Sequence, residues 1–125
     1  MSDAKGNIMV VEDEGVVSID IRNMLQKAGY SVAAVAFEGK EAIMKAEQSN
    51  PDLILMDIGL KGEMDGIETA KRIRDRFLIP VVFLTGFADD NTMAKAKEAN
   101  PSGFIIKPIN EGELNKILDD ILKKD

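Results

Sequence analysis

Cysteine and histidine are both absent from this 125-residue chain. Without cysteine there are neither disulfides nor thiolate metal sites. Without histidine, a His-based catalytic triad, the common zinc sites and phosphohistidine formation on this chain are excluded as well. A metal bound here must therefore be a hard cation such as Mg²⁺, held by oxygen. Positive charge is also in short supply: 16 lysines and arginines face 22 acidic residues, for a net charge of -6. That balance argues against direct binding to nucleic acid, whose phosphates demand cationic compensation. Long apolar runs are missing too, so no segment is expected to span a membrane. The stretch 1–7 is polar and the first apolar run is short, which argues against a signal peptide and makes the cytoplasm the expected compartment.

The residues that are present suit a single globular domain over 1–125, with 1–6 as a flexible lead. Hydrophobic residues make up 45% of the chain and charged residues 30%, ordinary values for a domain that buries its own core. Leu53-Ile54-Leu55-Met56 is a continuous apolar run ending at Asp57, as expected of a strand buried on both faces of a parallel sheet. Three similar runs are Ile8-Met9-Val10-Val11, Val81-Val82-Phe83-Leu84 and Gly103-Phe104-Ile105-Ile106, and Ser31 to Ala36 reads as a further strand. Between them lie helical patterns. The first covers 16–28, with Val16, Val17, Ile19, Ile21, Met24, Leu25 and Ala28, and stops at Gly29. The second covers 39–48, and the third starts near Asp65-Gly66 with Ile67, Ala70, Ile73 and Phe77 facing inward. A fourth is capped by Asp89 or Asp90, and the last starts near Glu111 with Leu114, Ile117, Leu118, Ile121 and Leu122. Five strands alternating with five helices predict an α/β fold, a doubly wound parallel sheet. The flavodoxin-like strand order 2-1-3-4-5 is the leading arrangement.

Chemistry-bearing residues collect at the strand ends. The first strand ends in Glu12-Asp13, the third in Asp57, the fourth in Thr85 and the fifth in Lys107. In a parallel sheet these ends share one edge, and strands one and three are neighbours at the topological switch point, where ligands bind. Taken singly, Asp13 reads as a helix cap, Thr85 as a locally bonded hydroxyl and Lys107 as a solvated lysine. Taken together they place three carboxylates beside a hydroxyl and an amine. Repulsion among the carboxylates favours a divalent cation, and a phosphoryl group could bridge that cation and the lysine. The set suits phosphoryl transfer to a carboxylate.

With Glu12-Asp13, Asp57, Asp65-Gly66, Thr85 and Lys107-Pro108 in place, the chain resembles the receiver domain of two-component response regulators over essentially its whole length. The resemblance implies that Asp57 accepts a phosphoryl group from a phosphohistidine of a sensor histidine kinase or a histidine phosphotransfer protein. It implies Mg²⁺ held directly by Asp13 and Asp57, through water by Glu12, and by the backbone carbonyl of Gly59. Lys107 would pair with one phosphoryl oxygen, and Thr85 would donate its hydroxyl to another. Thr85 and Phe104 would form a switch acting on the face built by the fourth helix, fifth strand and fifth helix. That face would serve a downstream effector protein, an attached domain or a homodimer. The Lys107-Pro108 peptide is expected to be cis. Such a domain catalyses its own phosphorylation and dephosphorylation and is not otherwise an enzyme.

Four positions depart from the usual receiver pattern. Glu12 stands where aspartate is frequent, Gly86 where alanine is usual and Phe104 where tyrosine is common. The loop 58–64 carries Lys61-Gly62-Glu63, is one residue longer and is expected to be mobile. Two other readings stay open. One is an aspartyl-phosphate phosphatase of the haloacid-dehalogenase-like type, although that group places its nucleophile after the first strand with a second acid two residues on, where this chain has Gly59. The other is a degenerate receiver that acts only as a binding module.

Overall fold

The computed structural model describes residues 5–86 and 89–123. Five strands alternate with five helices: β1 (Asn7–Val11), α1 (Gly15–Lys27), β2 (Ser31–Ala36), α2 (Gly39–Ser49), β3 (Leu53–Asp57), α3 (Gly66–Arg76), β4 (Val81–Thr85), α4 (Asp90–Glu98), β5 (Gly103–Ile106) and α5 (Glu111–Leu122). The strands form one parallel sheet in the order β2-β1-β3-β4-β5. β1 and β3 are adjacent, and the chain changes direction between them.

Strand periodicity explains the two layers. Met9, Val11, Ile54, Met56, Val81 and Phe83 point to the side covered by α2, α3 and α4. Ile8, Val10, Leu53, Leu55, Val82 and Leu84 point to the side covered by α1 and α5. Every residue of β3 and β4 is buried, which is why these strands read as unbroken apolar runs. The outer strand β2 is only half-buried along most of its length. Its exposed edge is partly closed by Lys45, whose ammonium donates to the Val35 carbonyl at 2.7 Å.

Two expectations are corrected by the structure. The apolar residues of α1 do not share one face. At about 100° per residue, Ser18, Ile21 and Leu25 form the buried stripe, while Val16 and Ile19 lie on the far side, 75% and 53% exposed. Ser18 replaces an apolar residue inside because its hydroxyl donates to the Gly15 carbonyl at 2.8 Å. The expected flexible lead also needs revision. Residues 1–4 lie outside the described residues, but the Lys5 amide donates to the Gly29 carbonyl and the Gly6 carbonyl accepts from the Ser31 amide, both at 2.9 Å.

Candidate phosphoacceptor site

The carboxyl ends of β1, β3, β4 and the turn after β5 bring the predicted residues to one edge. Backbone bonds fix that edge. The Glu12 amide donates to Ala36, the Ile58 amide to Leu84 (both 3.0 Å) and the Lys107 amide to Thr85 (2.7 Å). Glu12, Asp13 and Asp57 each offer a carboxylate oxygen, all within 4.8 Å of one another. Glu12 is wholly buried, Asp57 and Thr85 are nearly so, and Asp13 is half-buried. The Lys107-Pro108 peptide is cis.

Asp57 is held by neighbours close in sequence. Its Oδ1 accepts from the Gly59 amide at 3.0 Å. Behind it, α3 starts against the backbone of Asp57 itself. A Cβ on Gly66 would lie 2.0 Å from the Asp57 carbonyl oxygen, so no other residue fits without moving the acceptor. Asp65 caps the same helix, its Oδ1 accepting from the Glu68 amide at 2.9 Å. The Asp65-Gly66 pair thus has a steric cause: one residue starts the helix and the next lets it approach the acceptor strand.

Asp13 does not cap α1. The N-cap is Glu14, with no side-chain cap bond. Instead Asp13 Oδ2 accepts from the Lys61 amide at 3.1 Å. The loop expected to be mobile is therefore tied to the acidic pair, and Leu60 beside it is buried. Lys61 went unrecognised at the sequence level because a backbone amide 48 residues away leaves no compositional trace.

Lys107 makes its short contact with Glu12, at 2.8 Å from Nζ to Oε1, and stands 3.5 Å from Asp57 Oδ1. Burial pushes the Glu12 carboxyl up. The Lys107 hydrogen bond and the Glu14 amide pull it back, the Asp57 charge pushes it up again, and it stays above its ordinary value. Burial works to lower the Lys107 ammonium, but its bond to Glu12 and the charges of Asp57 and Glu12 outweigh that and hold it above the usual lysine range. Thr85 Oγ1 is buried and has no hydrogen-bond partner among the described residues. Phe104 is half-buried with its ring centroid 5.9 Å from that of Phe83.

The residues fit a hard divalent cation. Three carboxylates share the pocket with one ammonium, leaving an excess of negative charge, and all the donors are oxygens. A buried hydroxyl at the same edge, without a partner among the described residues, is a second sign that the site is built to receive a group with acceptor oxygens.

Comparison with known proteins identifies the family and the fold. The sequence model of the response regulator receiver domain matches residues 8–119. The transcriptional regulatory protein PdtaR of Mycobacterium tuberculosis is 32% identical over 107 residues, 86% of this chain and 52% of that protein. The alkaline phosphatase synthesis transcriptional regulatory protein PhoP of Bacillus subtilis is 32% identical over 118 residues, 94% of this chain and 48% of that protein. The chain thus spans about half the length of these curated relatives. Among solved structures, the signal receiver domain of a modulated diguanylate cyclase from Desulfovibrio desulfuricans superposes with a TM-score of 0.89 at 33% identity, covering 94% of this chain and 93% of that one. No helix among the described residues is long and apolar enough to cross a membrane. Sequence match, strand order and strand-end residues coincide: the chain belongs to the response regulator receiver domain family.

Proposed function

We propose that this chain is a phosphoacceptor switch in which Asp57 receives a phosphoryl group from a phosphohistidine on a histidine kinase or histidine phosphotransfer protein. The observation that carries the reading is the placement of Asp57 between an amine and two further carboxylates at the switch point of the sheet. In the transfer an Asp57 carboxylate oxygen bonds to phosphorus, the phosphorus–nitrogen bond breaks, and the departing imidazole keeps the bonding pair and is protonated from solvent. Lys107 is within reach of the incoming oxygens, and the free hydroxyl of Thr85 is available to donate to one of them.

Mg²⁺, held by Asp13, Asp57, the Gly59 carbonyl and, through water, Glu12, would neutralise charge developing on the phosphoryl oxygens. The protein's own residues supply the rest: Gly59 and Gly66 fix the acceptor, and Lys107 and Thr85 orient the group once bound. Movement of Thr85 toward the phosphoryl group would open space for Phe104 and bias the surface of α4, β5 and α5. The domain turns over no substrate beyond its own phosphoryl group. Its output passes to an effector protein, an attached domain or a second copy through that surface.

The test is the intact mass of wild type and Asp57→Asn after treatment with acetyl phosphate, with and without Mg²⁺. A Mg²⁺-dependent gain of one phosphoryl group by the wild type alone is the expected result. Equal labelling of the variant would put the acceptor elsewhere. No labelling of either, even by a donor kinase, would leave a binding module.

A further inference from the structure

Glu12 has no solvent exposure, and both of its oxygens are engaged. Oε1 lies 2.8 Å from the Lys107 ammonium, and Oε2 accepts from the Glu14 amide at 3.1 Å. The same ammonium is 3.5 Å from Asp57 Oδ1, beyond the range of a charge-assisted hydrogen bond. Asp57 Oδ1 is instead bonded to the Gly59 amide, and Oδ2 accepts no hydrogen bond from the described residues. The amine of the site is thus shared unequally, hydrogen-bonded to Glu12 and in a looser ion pair with Asp57 Oδ1, and Asp57 Oδ2 is left open to attack a donor. The extra methylene of glutamate matters here. An aspartate at this position would be shorter by about 1.5 Å, one carbon–carbon bond, and with backbone and lysine unmoved would fall short of Lys107.

We infer that Glu12 is a positioning residue that holds Lys107 away from the acceptor in the unphosphorylated protein, its arm length setting how readily the ammonium is released to the phosphoryl group. Glu12 is then a ligand for lysine first, and the side chains that face a cation directly are Asp13 and Asp57. The inference rests on the reading of Asp57 as the acceptor. Phosphoryl acceptance draws the ammonium from Glu12 Oε1 toward a phosphoryl oxygen and leaves a buried carboxylate with only the Glu14 amide. That penalty falls on the phosphorylated state alone. Shortening residue 12 therefore favours acceptance, because the Glu12 contact no longer has to be broken, and leaves the loss of the phosphoryl group unaffected.

The experiment has two arms. In the first, lysine ammonium resonances are recorded by ¹⁵N NMR on the unphosphorylated wild type, Glu12→Asp, Glu12→Gln and Asp57→Asn, with Lys107→Arg to assign the signal and amide spectra to verify the fold. The Lys107 ammonium is expected to exchange with water about tenfold faster in both Glu12 variants, the factor that follows from losing one charge-assisted hydrogen bond. In Asp57→Asn it is expected to remain protected. Loss of protection in Asp57→Asn with retention in both Glu12 variants would overturn the inference, because the acceptor would then be the holder. In the second arm, acetyl phosphate and Mg²⁺ are added, and Glu12→Asp is expected to take up its phosphoryl group faster than wild type. Slower uptake would also overturn it. If the wild type takes up no phosphoryl group, the acceptor reading fails, while the first arm still decides where Lys107 is held.

Discussion

Removing the acceptor's charge is expected to stabilise the fold. The oxygens of Glu12, Asp13 and Asp57 lie within 4.8 Å of one another. At an effective dielectric of about 20, each of the two repulsions on Asp57 amounts to about 3.5 kcal/mol at that separation. The attraction of Lys107, at 3.5 Å, returns about 5 kcal/mol on the same scale. The net repulsion relieved by Asp57→Asn is therefore about 2 kcal/mol, reduced to about 1 kcal/mol by solvent around the half-exposed Asp13. The amide oxygen of the variant still accepts from Gly59, so no bond is lost on that side. For a domain of this size the gain corresponds to a rise of about 5 °C in Tm. Thermal unfolding followed by circular dichroism at low ionic strength, without Mg²⁺, gives the answer. A variant that melts below wild type would refute the reasoning, since attraction to Lys107 would then exceed the repulsion. Adding Mg²⁺ at about 100 times its Kd should raise wild type by about 2.7 kcal/mol and the variant by less. An equal rise would remove Asp57 from the ligand set.

Four further outcomes are expected. Lys107→Ala leaves Glu12 buried without its counter-charge and should cost at least about 2 kcal/mol in urea unfolding, breaking a buried pair costing about 3–5; a change within experimental error would mean that Glu12 is solvated. The Lys107 ammonium is held above its ordinary value, so its contribution is complete below pH 10.5 and is lost as pH rises through the folded value. The alkaline fall in wild-type stability should accordingly shrink in Lys107→Ala but not vanish, because burial and Asp119 also push the Tyr30 phenol up; an unchanged fall would refute the contribution of Lys107. Thr85→Val removes a buried hydroxyl without a partner among the described residues and should leave the protein at least as stable while abolishing the response of the α4–β5–α5 surface to phosphorylation, read by amide chemical shifts. Loss of more than about 1 kcal/mol would imply a hydrogen bond to Thr85 that the structure lacks. Gly39→Ala would place a Cβ 2.4 Å from Thr69 Oγ1, a hydroxyl fixed by its bond to Asp65, and should cost about 1–3 kcal/mol, recovered in part by adding Thr69→Ala.

What could be read from the sequence was set by physics that acts locally. β3 and β4 are buried on both faces, so each residue had to be apolar until the edge was reached, and their ends fell where Asp57 and Thr85 stand. β2 kept its predicted limits although it is an edge strand, because small and β-branched residues run between Gly29 and Gly39. The α1 pattern failed in part because seven apolar residues exceed what one face can bury, and the sequence does not mark which two are left outside. The site was legible as a set of strand ends, with topology bringing them together. The contacts within it were not. Whether Lys107 leans on Glu12 or on Asp57 depends on arm lengths and a fraction of an ångström, and the Lys61 amide reaches Asp13 through a fold that composition does not encode.

The same contacts suggest how a signal could leave the site without disturbing the core. Thr85 and Lys107 sit on adjacent chain segments joined by a 2.7 Å bond from the Lys107 amide to the Thr85 carbonyl. A pull on the hydroxyl and a pull on the amine thus act on the same two strands. One turn of the ladder back, Phe83 pairs with Phe104, and their rings are 5.9 Å apart. β5 is the outer strand on this side, and Ile106 at its end is exposed. β3, by contrast, is clamped between β1 and β4, with every side chain buried. A displacement started at the edge therefore meets least resistance along β5, paired on one side only, whereas β4 is clamped and buried like β3. In a phosphoryl-driven switch the acceptor strand would then stay fixed while the outer strand leading to Lys107 gives way.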